Sequence, residues 1–239
     1  MSSPRDELSR QLAFYAEHVP LLGQTILDVG ANVGDLSAFF WREGCGTSRL
    51  ISVEPLPENL TRLESRRSEV PQPTDGWTIA PCAVSDHDGT VELIVAPLPT
   101  GGHNSVVAGS RAMGTRREVP CRRLVSLAPD VTVVKMDIEG HEHVVLADAL
   151  PSLRHVHTWA LELHRTADCP LERTLGALVD HGFRLLAAGR RAGDEGGAWL
   201  AHDISRTLSW ADIPAAERRA DGSEFKMLHL LALATHARR

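Results

Sequence analysis

Short apolar runs alternate with amphipathic stretches along most of the chain, and that alternation predicts an α/β domain built around a parallel sheet. Residues 25–29, 50–53, 77–80, 131–140, 156–161 and 183–187 read as strands, and 225–233 as a closing strand running antiparallel. Between them, 36–42, 57–67, 142–153 and 171–181 carry helical spacing, the last ending at Gly182. An amphipathic helix over 6–18 puts Leu8, Leu12 and Tyr15 on one face, placed to lie on the sheet or over its mouth. Residues 82–86 continue the third strand, and 91–95 and 118–122 read as edge strands. The Gly/Ser-rich stretch 97–117 and the polar stretch 189–224 read as lid or substrate loops. The latter holds Trp199, Trp210 and a short helix near 215–219.

Composition narrows this picture. A chain of 239 residues suits one large domain, 1–239, in which 1–24 is an N-terminal helical segment. No apolar run reaches the roughly 18 to 20 residues of a membrane span, and residues 1–7 lack a signal-peptide pattern. A cytoplasmic protein is therefore expected. The four cysteines form no C-x-x-C pair and read as reduced packing residues. A net charge of −6, with the arginine pairs dispersed among acids, disfavours nucleic acid as a partner. The 25 basic residues include two lysines, Lys135 and Lys226. A lysine kept inside an apolar run against that bias needs a reason.

Two stretches carry chemistry. Asp28-Val29-Gly30-Ala31-Asn32-Val33-Gly34 follows an apolar strand and opens a helix, so the glycines permit a tight turn and close approach of a ligand to the helix N-terminus. The spacing departs from the G-x-G-x-x-G of dinucleotide sites, which argues against a nicotinamide-dependent oxidoreductase. Glu54-Pro55 ends the second strand, where parallel α/β sheets offer a carboxylate to ribose hydroxyls. In 131–140, Lys135, Asp137 and Glu139 recur at period two and are expected to share one face at the strand's C-terminal end. Glu162 and His164 alternate at the neighbouring strand end. His141 and His143 flank Glu142 at a helix start, where histidines are more often solvated than catalytic.

Together with Ala83-Val84-Ser85-Asp86, these stretches resemble the FkbM family of S-adenosylmethionine-dependent methyltransferases, whose later signature is close to K-I-D-V-E-G-x-E. Lys135, Asp137, Glu139, Gly140 and Glu142 match that signature, whereas His141 stands where the family more often has a small residue. The resemblance spans roughly residues 25–186. It implies a Rossmann-like class I sheet of seven strands with helices on both faces, an antiparallel last strand, and O-methylation of a hydroxyl on a natural product or sugar. On that basis Asp28, Gly30, Ala31, Asn32 and Gly34 are expected at the methionine end of the cofactor. Glu54 and Pro55 are expected at its ribose, and Ala83, Ser85 and Asp86 at its adenine. Lys135, Asp137 and Glu139 would order the pocket of a small-molecule acceptor, with His164, His141 or a carboxylate as base. Asp137, Glu162 and His164 would also suit Mg²⁺. A homo-oligomer is compatible with the chain, and a catalytically silent domain would be expected to lose the acidic strand ends that this chain keeps.

Overall fold

In the computed structural model, residues 4–44, 46, 48–70, 74–95, 114–164, 171–189, 199–206 and 227–235 are described. The chain begins with α1 (Pro4–His18), β1 (Thr25–Val29), α2 (Asp35–Glu43), β2 (Arg49–Val53) and α3 (Pro57–Ser68). It continues through β3 (Trp77–Ala80), β4 (Ala83–Val84), β5 (Gly89–Val95), β6 (Thr115–Arg122), α4 (Leu124–Leu127) and β7 (Val133–Met136). Helix α5 (Glu142–Ser152), β8 (Thr158–His164), α6 (Leu171–Asp180), β9 (Phe183–Gly189), β10 (Leu200–Asp203) and β11 (Met227–Ala234) complete it.

Eight strands form the main sheet in the order β10-β9-β11-β8-β7-β1-β2-β3. From β3 to β8 neighbours are parallel, and β11 runs antiparallel to both β8 and β9. One strand more than expected is present, because β10 pairs antiparallel with β9 inside the stretch read as irregular. Trp210, the short helix near 215–219 and most of the Gly/Ser-rich loop lie outside the described residues. The strands expected at 91–95 and 118–122 do not edge the main sheet. They pair with β4 in a separate three-stranded sheet, β4-β6-β5, packed through Leu56, Ala83, Leu93, Val119 and Cys121. Among the described residues no helix is long and apolar enough to cross a membrane.

The two faces of the sheet bury different partners. One face carries Leu27, Val134, Met136, Trp159 and Leu161 against α5 and α6. The other carries Ile26, Leu50, Val133, Ala160 and Leu231 against Phe14 and Tyr15 of α1 and Phe40 and Trp41 of α2. A fully buried aliphatic or Phe side chain contributes about 1.5–3 kcal/mol, so these layers supply most of the stability. On the second face the apolar pattern is interrupted by a row of polar residues. Ser52, Asp28 and Lys135 stand level on β2, β1 and β7, and one step nearer the C-terminal edge Glu162 faces His229 on β11. Such a row under a helix is costly unless its members satisfy one another.

Candidate active site

The turn after β1 is pinned from three sides. Gly30 N–H and Ala31 N–H both donate to the Val53 carbonyl at 3.0 Å, which ties the turn to β2. Gly30 has φ +75°, and a Cβ there would lie 1.9 Å from the Asp137 carbonyl oxygen, so the backbone just past β7 passes directly behind it. Asn32 adopts φ 51°, the left-handed region that asparagine tolerates, and its N–H donates to Glu54 Oε2 at 3.0 Å. Glu54 Oε1 accepts from Leu56 N–H at 3.0 Å and Asn59 Nδ2 at 3.1 Å. Burial raises the Glu54 carboxyl above its ordinary value against those bonds.

A cavity opens over this turn. Gly30, Ala31, Asn32, Glu54, Pro55 and Ala83 line it, as do Lys135, Asp137 and Glu139. It also takes Leu8 from α1, Asn59 from α3 and Leu93 from the small sheet, none of which a local motif marks. Asp28, Gly34, Ser85, Asp86, His141 and His164 do not line it. For Gly34 the reason is packing: at φ +90° a Cβ would meet Leu63 Cδ1 at 2.6 Å. For Ser85 and Asp86 it is a separate bonding chain. Ser85 Oγ donates to Asp86 Oδ1 and lies 3.1 Å from His141 Nε2, which ties the end of β4 to the start of α5.

Asp28 is fully buried behind the turn. Ser37 Oγ donates to its Oδ2, Ser37 lies 2.7 Å from Ser52 Oγ, and Trp77 Nε1 donates to Ser52 at 2.9 Å. Lys135 Nζ sits 3.6 Å from Asp28 Oδ1 and 3.9 Å from Asp137 Oδ2, and donates to the Gly30 carbonyl at 3.3 Å. Burial pulls the Lys135 ammonium down, but Asp28, Asp137 and Glu162 outweigh it and hold its proton more tightly than usual. Lys135 is thus a fixed cation beneath the cavity, unsuited to proton transfer.

Period two does not persist to Glu139. Strand β7 ends at Met136, and Glu139 (φ 56°) and Gly140 (φ 106°) reverse the chain. A glutamate in that region is strained, and its neighbours must hold it there. Glu142 does so: its Oε1 accepts from Ile138 N–H at 3.0 Å, and its two oxygens accept from Gly140 N–H at 3.1 and 3.0 Å. His164 Nδ1 lies 3.1 Å from Glu142 Oε1, and its Nε2 lies 3.4 Å from Glu139 Oε2 and 3.7 Å from Glu162 Oε1. Burial opposes charging of His164, but the bond to Glu142 and the charges of Glu142, Asp137 and Glu139 raise it to about 10. Burial pushes Glu142 up, but the bond and charge of His164 together with backbone N–H donors outweigh it and hold the carboxyl below its ordinary value.

The three groups expected to take Mg²⁺ do converge, with ligand atoms of Asp137, Glu162 and His164 within 4.8 Å of one another. With a proton held against Glu142 and the neighbouring carboxylates, His164 offers no lone pair, so a cation binding there would have to displace that proton. The same proton removes His164 as a base. His141 lies apart, in contact with Ser85, and burial lowers its proton affinity. Two contributors were missed. Tyr15 is buried on α1, accepts from Gln11 Nε2 at 3.3 Å, and is raised by burial and by Glu162, Asp137 and Asp28. His229 Nδ1 lies 3.6 Å from Glu162 Oε2, with the Trp199 ring 4.4 Å away. A histidine amid Leu228-Leu230-Leu231 was a legible signal; Tyr15 was read only as an apolar face of its helix.

The parallel core, the antiparallel β11 and the glycine cradle at the β1 terminus define a class I S-adenosylmethionine-dependent methyltransferase fold. The chain belongs to the FkbM methyltransferase family: the Methyltransferase FkbM domain profile matches residues 28–185. A hexuronic acid methyltransferase, AglP of Haloferax volcanii, is 28% identical over 147 residues, covering 59% of this chain and 56% of that protein. The crystal structure of methyltransferase FkbM from Methylobacillus flagellatus KT superposes with a TM-score of 0.56 at 20% identity, over 80% of this chain and 46% of that one. The chain thus spans about half the length of these two relatives.

Three outcomes follow from the geometry. Gly30→Ala drives its methyl into the Asp137 carbonyl and is expected to lower the urea midpoint, because backbone on one side must shift. Lys135→Met strands buried Asp28 and lowers stability in urea by about 3–5 kcal/mol; Asp28→Leu added to it recovers most of that loss. Because folding raises His164 from 6.5 to about 10, its charged form stabilises fully below pH 6.5 and that contribution fades as pH climbs toward 10. The difference in urea midpoint between the parent and His164→Gln therefore shrinks across that interval.

Proposed function

We propose that the chain transfers the methyl group of S-adenosylmethionine to a hydroxyl of a sugar-like small molecule. The observation that carries this reading is the junction at Asp137, where the cavity over the glycine turn meets a largely buried band of polar groups, Glu139, Glu162, His164 and His229. The cradle at Gly30 suits the cofactor, since it brings bare backbone to the cavity where any Cβ would collide. In this assignment Gly30, Ala31 and Asn32 hold the methionine end, Glu54 the ribose hydroxyls, and Ala83 with Leu93 the adenine. S-adenosylmethionine supplies an electrophilic methyl when bound.

What the chain adds is alignment and proton management. Alignment of reacting groups lowers such barriers by about 7–11 kcal/mol in favourable cases. The band offers acceptors for hydroxyl protons at Asp137, Glu139 and Glu162, which matches a polyol. The same carboxylates repel an acceptor carboxylate, so an ether rather than an ester is favoured. The hexuronic acid named for AglP supports a sugar acceptor, and its carboxylate makes the methyl ester the competing product.

Calorimetry is expected to show binding of S-adenosylmethionine and none of NAD. With methyl β-glucuronoside and methyl β-glucoside as probes, mass spectrometry and NMR are expected to show a methyl ether; methyl ester alone would reject the hydroxyl assignment. Exhaustive chelation with EDTA leaves turnover unchanged, and a loss restored by Mg²⁺ would return Asp137 and Glu162 to a metal.

A further inference from the structure

We infer that Asn59 is a second ribose-binding residue of the cofactor cavity, its side-chain oxygen accepting one of the two neighbouring ribose hydroxyls while Glu54 accepts the other. This assignment rests on the reading of the cavity as an S-adenosylmethionine site. The local sequence, Glu54-Pro55-Leu56-Pro57-Glu58-Asn59, places the two side chains together. Pro57 opens α3, where its missing N–H costs nothing, and the N–H groups of Asn59 and Leu60 both donate to the Leu56 carbonyl, at 3.0 and 2.9 Å. Asn59 therefore stands in the first helical turn, and a helical side chain leans toward the N-terminus of its helix. That direction returns it to the end of β2, where its Nδ2 donates to Glu54 Oε1 at 3.1 Å.

Glu54 alone cannot take both hydroxyls of a ribose. An ionised carboxylate has about four lone-pair sites. Three are used here: Asn32 N–H binds Oε2 at 3.0 Å, and Leu56 N–H and Asn59 Nδ2 bind Oε1 at 3.0 and 3.1 Å. One site remains, on Oε2, for a ligand. A ribose brings two neighbouring O–H donors, and a donor taken out of water without an acceptor lowers affinity, so the second hydroxyl needs another group.

Asn59 supplies it. With Nδ2 bound to Glu54 the amide is fixed, because the reverse orientation would set its oxygen against a carboxylate oxygen. Among the described residues no group donates to Asn59 Oδ1. Asn59 and Glu54 both line the cavity, and the wall around them is apolar, made by Pro55, Leu56, Ala83 and Leu93. A few convergent polar groups in an apolar wall are what orient a bound ligand. Asp35, on the same cavity wall at the start of α2, is instead paired with Arg66 of α3 at 2.8 Å. The pocket thus reads a diol with an acid and an amide that hold each other in place.

Calorimetry on the full chain with S-adenosylhomocysteine and its 2′-deoxy and 3′-deoxy analogues tests the assignment. The parent is expected to bind each deoxy analogue about 3–10-fold more weakly than S-adenosylhomocysteine, and a parent indifferent to the loss of either hydroxyl overturns it without any variant. Asn59→Ala is expected to fold, since alanine is the best helix former, and to keep a urea midpoint close to the parent's. It is expected to weaken S-adenosylhomocysteine by about 3–10-fold while leaving the affinity of one deoxy analogue unchanged, because that analogue lacks the hydroxyl that Asn59 accepts. Weakening of all three ligands by one factor overturns the contact and leaves Asn59 as a prop for Glu54. Unchanged affinity for S-adenosylhomocysteine overturns it outright. A parent that binds neither S-adenosylmethionine nor S-adenosylhomocysteine overturns the cofactor reading, and the role of Asn59 with it.

Discussion

The pairing of Lys135 with Asp28 across two adjacent central strands is the constraint around which the site is arranged. Both side chains are almost wholly buried, so each charge depends on the other. Removing such ions from water costs several kcal/mol apiece, and only close partners and further bonds offset that cost. Those bonds are present. Ser37 donates to Asp28 Oδ2 from α2, and Lys135, 3.6 Å from Oδ1, reaches the Gly30 carbonyl, so one buried pair fixes the end of β1, the start of α2 and the turn between them. A composition that uses arginine nearly everywhere else keeps lysine here because a compact ammonium fits under a turn where a guanidinium fork does not.

From that anchor the other charged residues divide by where β7 ends. Asp137 still faces the cavity, but Glu139 lies on a backbone reversal that Glu142 secures through the N–H groups of Ile138 and Gly140. His164 closes this loop from β8 as a cation between carboxylates. The family signature over residues 135–142 therefore describes a loop held by its own side chains, with Lys135, Asp137 and Glu139 at the cavity wall and Glu142 turned to the backbone. The glycine turn is braced in the same way: Val53 accepts from Gly30 and Ala31, and Glu54 from Asn32, at the neighbouring strand end.

Most of the architecture was legible locally. The glycine turn, the strand-end Glu54, the main-sheet strands and longer helices from 25 to 187 and the antiparallel closing strand follow from periodicity and turn chemistry, which act over a few residues; the short α4 was not read, and 82–86, read as continuing the third strand, instead gives β4 to the small sheet. The eighth strand was not legible, since Leu200-Ala201-His202-Asp203 is an ordinary polar stretch until β9 offers an edge to pair with. Nor was the small second sheet, because an apolar run of 91–95 does not say which sheet it joins.

By itself, then, the sequence determined the class of fold, the family and the two stretches that meet at the strand ends, because each is encoded by neighbours along the chain. The tertiary structure decided what those residues face. Asp28 and Ser85, named by their motifs, turn away from the cavity, while Tyr15 and His229, from distant elements, turn toward the acidic band. Histidine 164 and Glu162 lie two residues apart on one strand, yet one is held as a cation and the other is poised near neutrality. Proton affinity is set by charges that meet through space in a medium from which water is excluded, and spacing along the chain carries no record of which charges those are.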